Sequence, residues 1–243
     1  MKKMMITCFA IILAFTGGCS MNDSQNGKDG NQEEAVKPKD MDPKDLPQVP
    51  AFQDEKTREY MASTKEVEPG YYLLQSQLKG FTMLFPEDGE YEAELSSNNE
   101  ENIESIAFNS YDKKSNIVLN AQVKYYSQQS YVNKPKTMLE IISGQNGYKG
   151  DYEKVSESGK DIYFAHMKDI FDDIDRKYNF SYSYFGYVKS TEEDDLGVEY
   201  HFTFACHKED QPCSLSEDKA RKNAKKLINS ITFKIKKEKQ DEE

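Results

Sequence analysis

The chain has 243 residues, and its 43 acidic against 32 basic side chains give a formal net charge of −11 at pH 7. Such a surface repels phosphate groups, which argues against nucleic acid as a partner and against flat adhesion to an anionic bilayer. The length suits one ordinary domain with flanking sequence.

The first 18 residues have the order of a secretory signal. Lys2 and Lys3 precede the apolar stretch Met4–Phe15, and small residues follow. An apolar helix of this length spans about 18 Å, well short of the ~30 Å hydrocarbon layer. We therefore predict that residues 1–18 form a signal peptide that is removed on export, and not a permanent membrane span.

The residues at the predicted cleavage point resemble the lipobox of bacterial lipoproteins. Gly17 and Gly18 directly precede Cys19, although Thr16 stands where that family usually has Leu. In such proteins the cysteine thiol is acylated, for example with palmitate, and becomes the new N-terminus. The resemblance implies a lipid on Cys19 that holds the protein on the extracytoplasmic face of the cell membrane. The alternative is an ordinary secretory signal followed by a chance cysteine.

Four cysteines are present, and two of them remain for the folded part. Cys8 leaves with the signal peptide and Cys19 carries lipid, which leaves Cys206 and Cys213. Outside the cytosol such a pair can oxidise. The spacing is wrong for a redox Cys-x2-Cys motif, and two ligands are too few for a structural zinc site. We predict a disulfide, with two free thiols as the alternative.

Composition divides the mature chain into three parts. Residues 19–66 are rich in Asn, Asp, Lys, Glu and Pro and contain few large apolar side chains, which predicts a disordered acidic tether. A short helix between Asp54 and Ala62 is the one element expected there. Residues 67–236 are predicted to fold as one domain, and residues 237–243 form a charged tail.

Within the predicted domain, most segments have the two-residue period of strands and two have a helical period. The strands are predicted at 71–78, 81–86, 103–111, 117–126, 152–156, 161–168, 178–189 and 196–206. One helix opens at Pro135 and stops at Ser143-Gly144. The other carries an apolar stripe from Ala220 to Ile231, with Ser214 and Glu217 as a capping box at its start.

This order of elements resembles the Mog1/PsbP-like fold, an α+β fold in which an antiparallel sheet is flanked by two or three helices. The resemblance rests on the Gly-Phe-x-Met-x-Phe-Pro hairpin at 80–86 and on Ile-Asn-Ser-Ile-Thr-Phe at 228–233. The stretch Met41–Pro47 is also similar to Bacillus surface lipoproteins of the YvcA type. The resemblance to the Mog1/PsbP-like fold implies a binding or accessory module, by analogy of fold alone.

Few residues point to chemistry. The histidines are His166, His201 and His207. Strand alternation places His201 with Glu199 and Thr203 on the face opposite the apolar residues of 198–204, and one His beside one Glu is not a metal site. We predict that His201 lies on a solvated face.

Two acidic runs and one aromatic strand each allow two interpretations. The run 169–175 could offer oxygen ligands to calcium, but it lacks the glycine and terminal glutamate of an EF-hand, so a solvated turn is favoured there and at 192–195. The aromatic face of 178–184 is predicted to be core beneath a helix. If uncovered, it would be a surface for a partner or a glycan.

No P-loop, nucleophile elbow or His-Glu-x-x-His motif occurs in the sequence, so we predict no enzyme activity, no cofactor and no metal site. The leading hypothesis is a lipid-anchored module that binds a surface protein or ligand and supports envelope or biofilm functions. A structural envelope spacer is the alternative, followed by a hydrolase of wall polymers.

Overall fold

The computed structural model describes residues 36–172 and 177–235. The predicted signal peptide, Cys19 and the charged tail lie outside these ranges. The described chain is an α+β fold in which every strand pairing is antiparallel. The predicted fold class is confirmed. Among the described helices, none has the length and apolar character that a membrane span requires.

Four α-helices and eleven strands make up the described fold. The helices are α1 (Pro50–Gln53), α2 (Glu55–Arg58), α3 (Pro135–Asn146) and α4 (Glu217–Ser230). The strands are β1 (Tyr71–Gln75), β2 (Phe81–Pro86), β3 (Gly89–Tyr91), β4 (Ser97–Asn98), β5 (Ile103–Asp112), β6 (Ile117–Tyr126), β7 (Glu153–Glu157), β8 (Lys160–Ile170), β9 (Phe180–Ser190), β10 (Gly197–Cys206) and β11 (Thr232–Phe233). A large sheet has the order β3-β5-β6-β10-β9-β8-β7, with β4 paired to β5, and a small sheet has the order β1-β2-β11.

The main core lies between one face of the large sheet, the small sheet and α4. Alternate residues of β10, namely Val198, Tyr200, Phe202 and Phe204, are all buried there. The apolar stripe of α4 meets them with small and branched side chains, from Ala220 to Ile228. The two-residue period of the strand and the 3.6-residue period of the helix therefore each place apolar side chains on one face, and the two faces pack together.

The start of α4 differs from the predicted capping box. Ser216 is the N-cap, and its side chain accepts a hydrogen bond from the backbone N–H of Lys219. Ser214 lies two residues earlier, where its own backbone N–H donates to the carbonyl of Ser115. Which of the two serines caps α4 depends on where the preceding loop is hydrogen-bonded to the residues before β6. The local sequence does not encode that contact.

The prediction of a disordered tether up to residue 66 is wrong for the second half of that segment. Five of its apolar residues are buried in the main core: Leu46, Ala51, Phe52, Tyr60 and Met61. Its backbone also joins the small sheet, since Ala62 N–H donates to the carbonyl of Leu73 and Gln75 N–H donates to that of Tyr60. The expected short helix is present as α2, capped by Asp54. The few apolar residues of this segment are enough to fold it because nearly all of them reach the core.

The other face of the large sheet carries a second, smaller core beneath α3. Met138 and Ile142 of the helix pack over Phe185 and Tyr187 of β9. The helix runs past the predicted stop at Gly144 to Asn146 and ends at Gly147, which has a left-handed φ of 61°. This cover is incomplete, because Gln122 and other polar residues of the same face remain exposed.

Candidate functional site

A polar cleft lies where α3 leaves the large sheet uncovered. Its volume is about 410 Å³. Gln145 and Asn146 form the wall on the last turn of the helix, and the floor is formed by residues of β6 and β10: Gln122, Lys124, Glu199 and His201. Most of these side chains are amides or charged groups, so the cleft presents hydrogen-bonding groups to whatever enters it.

Strand register fixes the floor of the cleft. Gln122 lies directly opposite His201, and Lys124 lies directly opposite Glu199. Directly opposed residues of an antiparallel pair have side chains on the same face and about 4.5–5.5 Å apart at Cβ. The two cross-strand pairs therefore stand side by side, one of them with opposite charges.

Tyr126 holds the charged pair at one end of the cleft. Its hydroxyl donates a hydrogen bond of 2.8 Å to Oε2 of Glu199, and Nζ of Lys124 lies 5.2 Å from its ring centroid. Burial, followed by the charge of Glu199, raises the pKa of Tyr126 well above its ordinary value. The phenol therefore stays protonated and acts as a donor at neutral pH.

His201 is linked to three polar side chains on its own and the neighbouring strands. Its Nε2 lies 3.3 Å from Oγ1 of Thr203, which lies 3.2 Å from Oγ of Ser183. Ser183 in turn donates a hydrogen bond of 2.9 Å to Oδ2 of Asp169. Burial lowers the pKa of His201, and the nearby Asp169 opposes this only in part. His201 is therefore neutral at pH 7.

The predicted solvated face for His201 is thus only partly right. His201, Glu199 and Thr203 do share the face opposite the core, as alternation predicted. They are half-buried rather than solvated. Tyr126 contacts Glu199, the ring of Phe185 lies 5.8 Å from that of His201, and Ser183 contacts Thr203. Sequence analysis missed the roles of Ser183 and Thr203, because only the pairing of β9 with β10 brings them together.

Comparison with known proteins places the chain in a family. The family described as "Putative lipoprotein YvcA" matches residues 47–232. A protein of the same description from Bacillus subtilis (strain 168) is 67% identical over 241 residues, which cover 98% of this chain and all of that protein. The chain belongs to the YvcA family. The resemblance identified from the sequence is confirmed. No solved structure matches the chain.

The YvcA family match begins at residue 47, inside the segment first taken for a tether. This start agrees with the structure, in which Leu46 is the first large aliphatic side chain to enter the main core. Cys19 lies outside the described residues, so its lipidation stays a prediction.

The two remaining cysteines are joined in the structure. Cys206, the last residue of β10, and Cys213, in the loop before α4, form a disulfide with their Cα atoms 5.9 Å apart. The backbone N–H of Cys213 also donates to the hydroxyl of Tyr178. The bond therefore closes the loop that leads from the large sheet into α4.

The two acidic runs, 169–175 and 192–195, each contain an aspartate that is hydrogen-bonded to another side chain. Asp169 belongs to the chain of side chains that ends at His201, whereas Asp173 and Asp175 lie outside the described residues. In the run 192–195, Asp195 has a positive φ of 59° and accepts a hydrogen bond from Asn133. Within residues 36–172 and 177–235, no three His, Cys, Asp or Glu side chains are grouped to hold a metal ion.

The aromatic strand is core over its second half. Tyr182 and Tyr184 are buried, and the hydroxyl of Tyr184 donates to the carbonyl of Glu217 at the start of α4. Tyr178 and Phe180 are half-buried at the end of the sheet, where Nζ of Lys168 lies 4.9 Å from the ring centroid of Phe180. The prediction of a core strand beneath a helix is confirmed for the two buried tyrosines.

Proposed function

We propose that this protein is a lipoprotein held by lipid on Cys19 at the extracytoplasmic face of the membrane, and that its domain is a non-enzymatic binding module. The ligand occupies the polar cleft between α3 and the large sheet. In this role the protein supports envelope or biofilm functions. The description of its Bacillus subtilis relative, "Putative lipoprotein YvcA", supports the anchor.

The observation that carries the binding proposal is the preorganisation of the cleft. Glu199 is held by Tyr126 and His201 by Thr203, while strand register sets their spacing. Groups that are already fixed lose little conformational entropy when a ligand arrives, which increases affinity. The volume of the cleft, about 410 Å³, also lies within the range of ligand sites.

The same contacts favour binding over catalysis. The hydroxyl within reach of His201 belongs to Thr203, and this hydroxyl is already bonded to Ser183. The carboxylate of the cleft, Glu199, is bonded to Tyr126. A nucleophile needs a base that withdraws its proton. The side chains here position one another instead, so they suit recognition by hydrogen bonds.

The anchor is tested by Cys19→Ala. Lipid contributes ~0.8 kcal/mol per buried methylene, so loss of two or more acyl chains removes durable attachment. The variant is expected in the medium or as an uncleaved precursor, whereas the wild-type chain stays in washed membranes. Immunoblotting of the fractions measures this. A Cys19→Ala chain of processed size in washed membranes would show that the anchor lies elsewhere.

The cleft is tested by a photo-crosslinking amino acid placed at Gln122 in living cells. A matched control carries the same amino acid at Lys113, an exposed residue of the β5–β6 turn. We expect a discrete adduct from position 122 and none from position 113, detected as a mass shift on a denaturing gel. If the two positions give the same adducts, or if position 122 gives none, the cleft is not the binding site and the spacer hypothesis is favoured.

A further inference from the structure

The hydrogen-bonded chain from Asp169 to His201 assigns a specific role to the histidine. We infer that Asp169, Ser183 and Thr203 fix the His201 proton on Nε2, so that Nδ1 is presented as an acceptor to a neutral, hydroxyl-rich ligand, a glycan, in the cleft. The ligand part of this inference rests on the proposed function, since it concerns the same cleft.

The direction of the chain follows from the number of protons that each group owns. A carboxylate only accepts, so Ser183 donates its single proton to Asp169. The Ser183 oxygen must then accept from Thr203, which donates its own proton there. Thr203 can only accept from His201, and that bond requires the imidazole proton to be on Nε2. Only one placement of the protons therefore satisfies all three hydrogen bonds.

The environment of the ring agrees with this assignment. A neutral imidazole has one donor nitrogen and one acceptor nitrogen. Burial lowers the pKa of His201, which keeps the ring neutral. In the described part of the chain, no group is hydrogen-bonded to Nδ1. Chains of hydrogen bonds also polarise one another and strengthen the whole. Asp169, Ser183 and Thr203 are thus positioning residues, and His201 is the group that touches the ligand.

The remaining walls of the cleft indicate the class of ligand. Gln122 and Gln145 contribute exposed amides, and Asn146 donates its Nδ2 to the carbonyl of Ile142, which leaves its oxygen as an acceptor. Lys124 and Glu199 have opposite charges, so the cleft has no net charge beside the neutral His201. Sugar hydroxyls both donate and accept, which matches such a mixed set.

The net negative charge of the chain favours neutral glycans over anionic ones. Its formal net charge of −11 repels polyanions such as phosphate-containing polymers. A neutral oligosaccharide encounters no such barrier. We therefore use two soluble probes, a tetramer of N-acetylglucosamine and a tetramer of glucose, with polyglutamate as the anionic comparison.

The first measurement is the tautomer of His201 in the full-length protein in detergent, with isotopically labelled imidazole nitrogens. His166 and His207 serve as internal references, and His201→Gln assigns the signal. Near neutral pH we expect one neutral form with the proton on Nε2. Thr203→Val removes the acceptor of that proton, so a fraction with the proton on Nδ1 should appear. A wild-type His201 that is charged, or protonated on Nδ1, overturns the inference. This result does not depend on whether any variant folds.

The second measurement follows the same His201 signal during titration with each probe. At least one neutral tetramer is expected to shift it saturably at millimolar concentration. Loss of one positioned hydrogen bond should weaken binding about 2- to 10-fold in Thr203→Val. Thr191→Val, in an exposed turn, is the matched control and should bind like the wild-type protein.

The two proposals fail in different ways. If neither neutral probe moves the His201 signal, or if only polyglutamate does, the glycan inference is overturned. An adduct from position 122 would then still support a binding cleft, with another class of ligand. Conversely, the fractionation of Cys19→Ala and the adducts from position 122 test the proposed function without reference to the tautomer.

Discussion

A chain that begins at Lys65 is expected to lose its cooperative fold, although the residues removed look like a tether. Deletion up to Thr64 removes four large buried side chains: Leu46, Phe52, Tyr60 and Met61. At about 1.5–3 kcal/mol for each buried side chain, the loss is about 6–12 kcal/mol. Whole domains are stable by only ~5–15 kcal/mol. The deletion therefore removes most or all of the stability.

The contacts of these residues explain why the loss is not local. The rings of Phe52 and Tyr72 meet edge to face at 4.7 Å, and Tyr60 stacks on Tyr91 at the same distance. The hydroxyl of Thr57, which is fully buried, accepts the backbone N–H of Tyr91. Deletion exposes the rings of Tyr72 and Tyr91 and removes the acceptor of the Tyr91 N–H.

Thermal unfolding and near-ultraviolet circular dichroism of the two chains, starting at Val36 and at Lys65, measure this effect. The chain from Val36 should melt in one transition, and the chain from Lys65 should show none or aggregate. Phe52→Ala should cost about 3–5 kcal/mol in the longer chain. Lys56→Ala, which is exposed, should cost little. Equal melting temperatures for the two chains would contradict the packing of residues 46–62 in the core.

Gly186→Ala is expected to destabilise the large sheet strongly. A Cβ at this position in β9 would lie 2.0 Å from the backbone carbonyl oxygen of Tyr163 and 2.6 Å from the hydroxyl of Tyr200. The hydroxyl donates to that same carbonyl at 2.7 Å. The strands would have to separate, and we expect a loss of about 3 kcal/mol in the free energy of unfolding.

Gly144→Ala in α3 is the matched control for this substitution. Nothing lies within 4 Å of a Cβ built at Gly144, which is in the last turn of α3. Alanine is favoured over glycine there by about 0.8–1 kcal/mol, so this variant should be slightly more stable. Urea unfolding of both variants gives the two free energies. A Gly186→Ala protein as stable as the wild type would mean that β8 and β9 are not packed as the structure shows.

The sequence predicted the elements whose signals are local. The hairpin β1–β2, the strands of the large sheet and the two longer helices follow from residue periodicity and turn residues. The apolar stripe of α4 required no knowledge of its partner. The predicted end of α3 was too early. The helix continues through Gly144, and the left-handed residue that ends it is Gly147.

The N-terminal segment shows where composition misleads. Averaged over residues 19–66, the sequence is polar and Pro-rich, which predicts disorder. A segment need not form its own core if its few apolar residues fit an existing one. Phe52 and Tyr60 do this by packing on rings supplied by β1 and β3. No local pattern records such a fit.

For this protein, the sequence by itself determined the α+β class and the face of β10 on which His201 lies, and it predicts export and lipid attachment at Cys19. Each depends on neighbours in the chain or on the alternation of one strand. Only the tertiary structure decided the folding of residues 46–62, the cleft beside α3, and the chain from Asp169 through Ser183 and Thr203 to His201. Those features depend on strand order and register, which are set by contacts between residues that are distant in sequence.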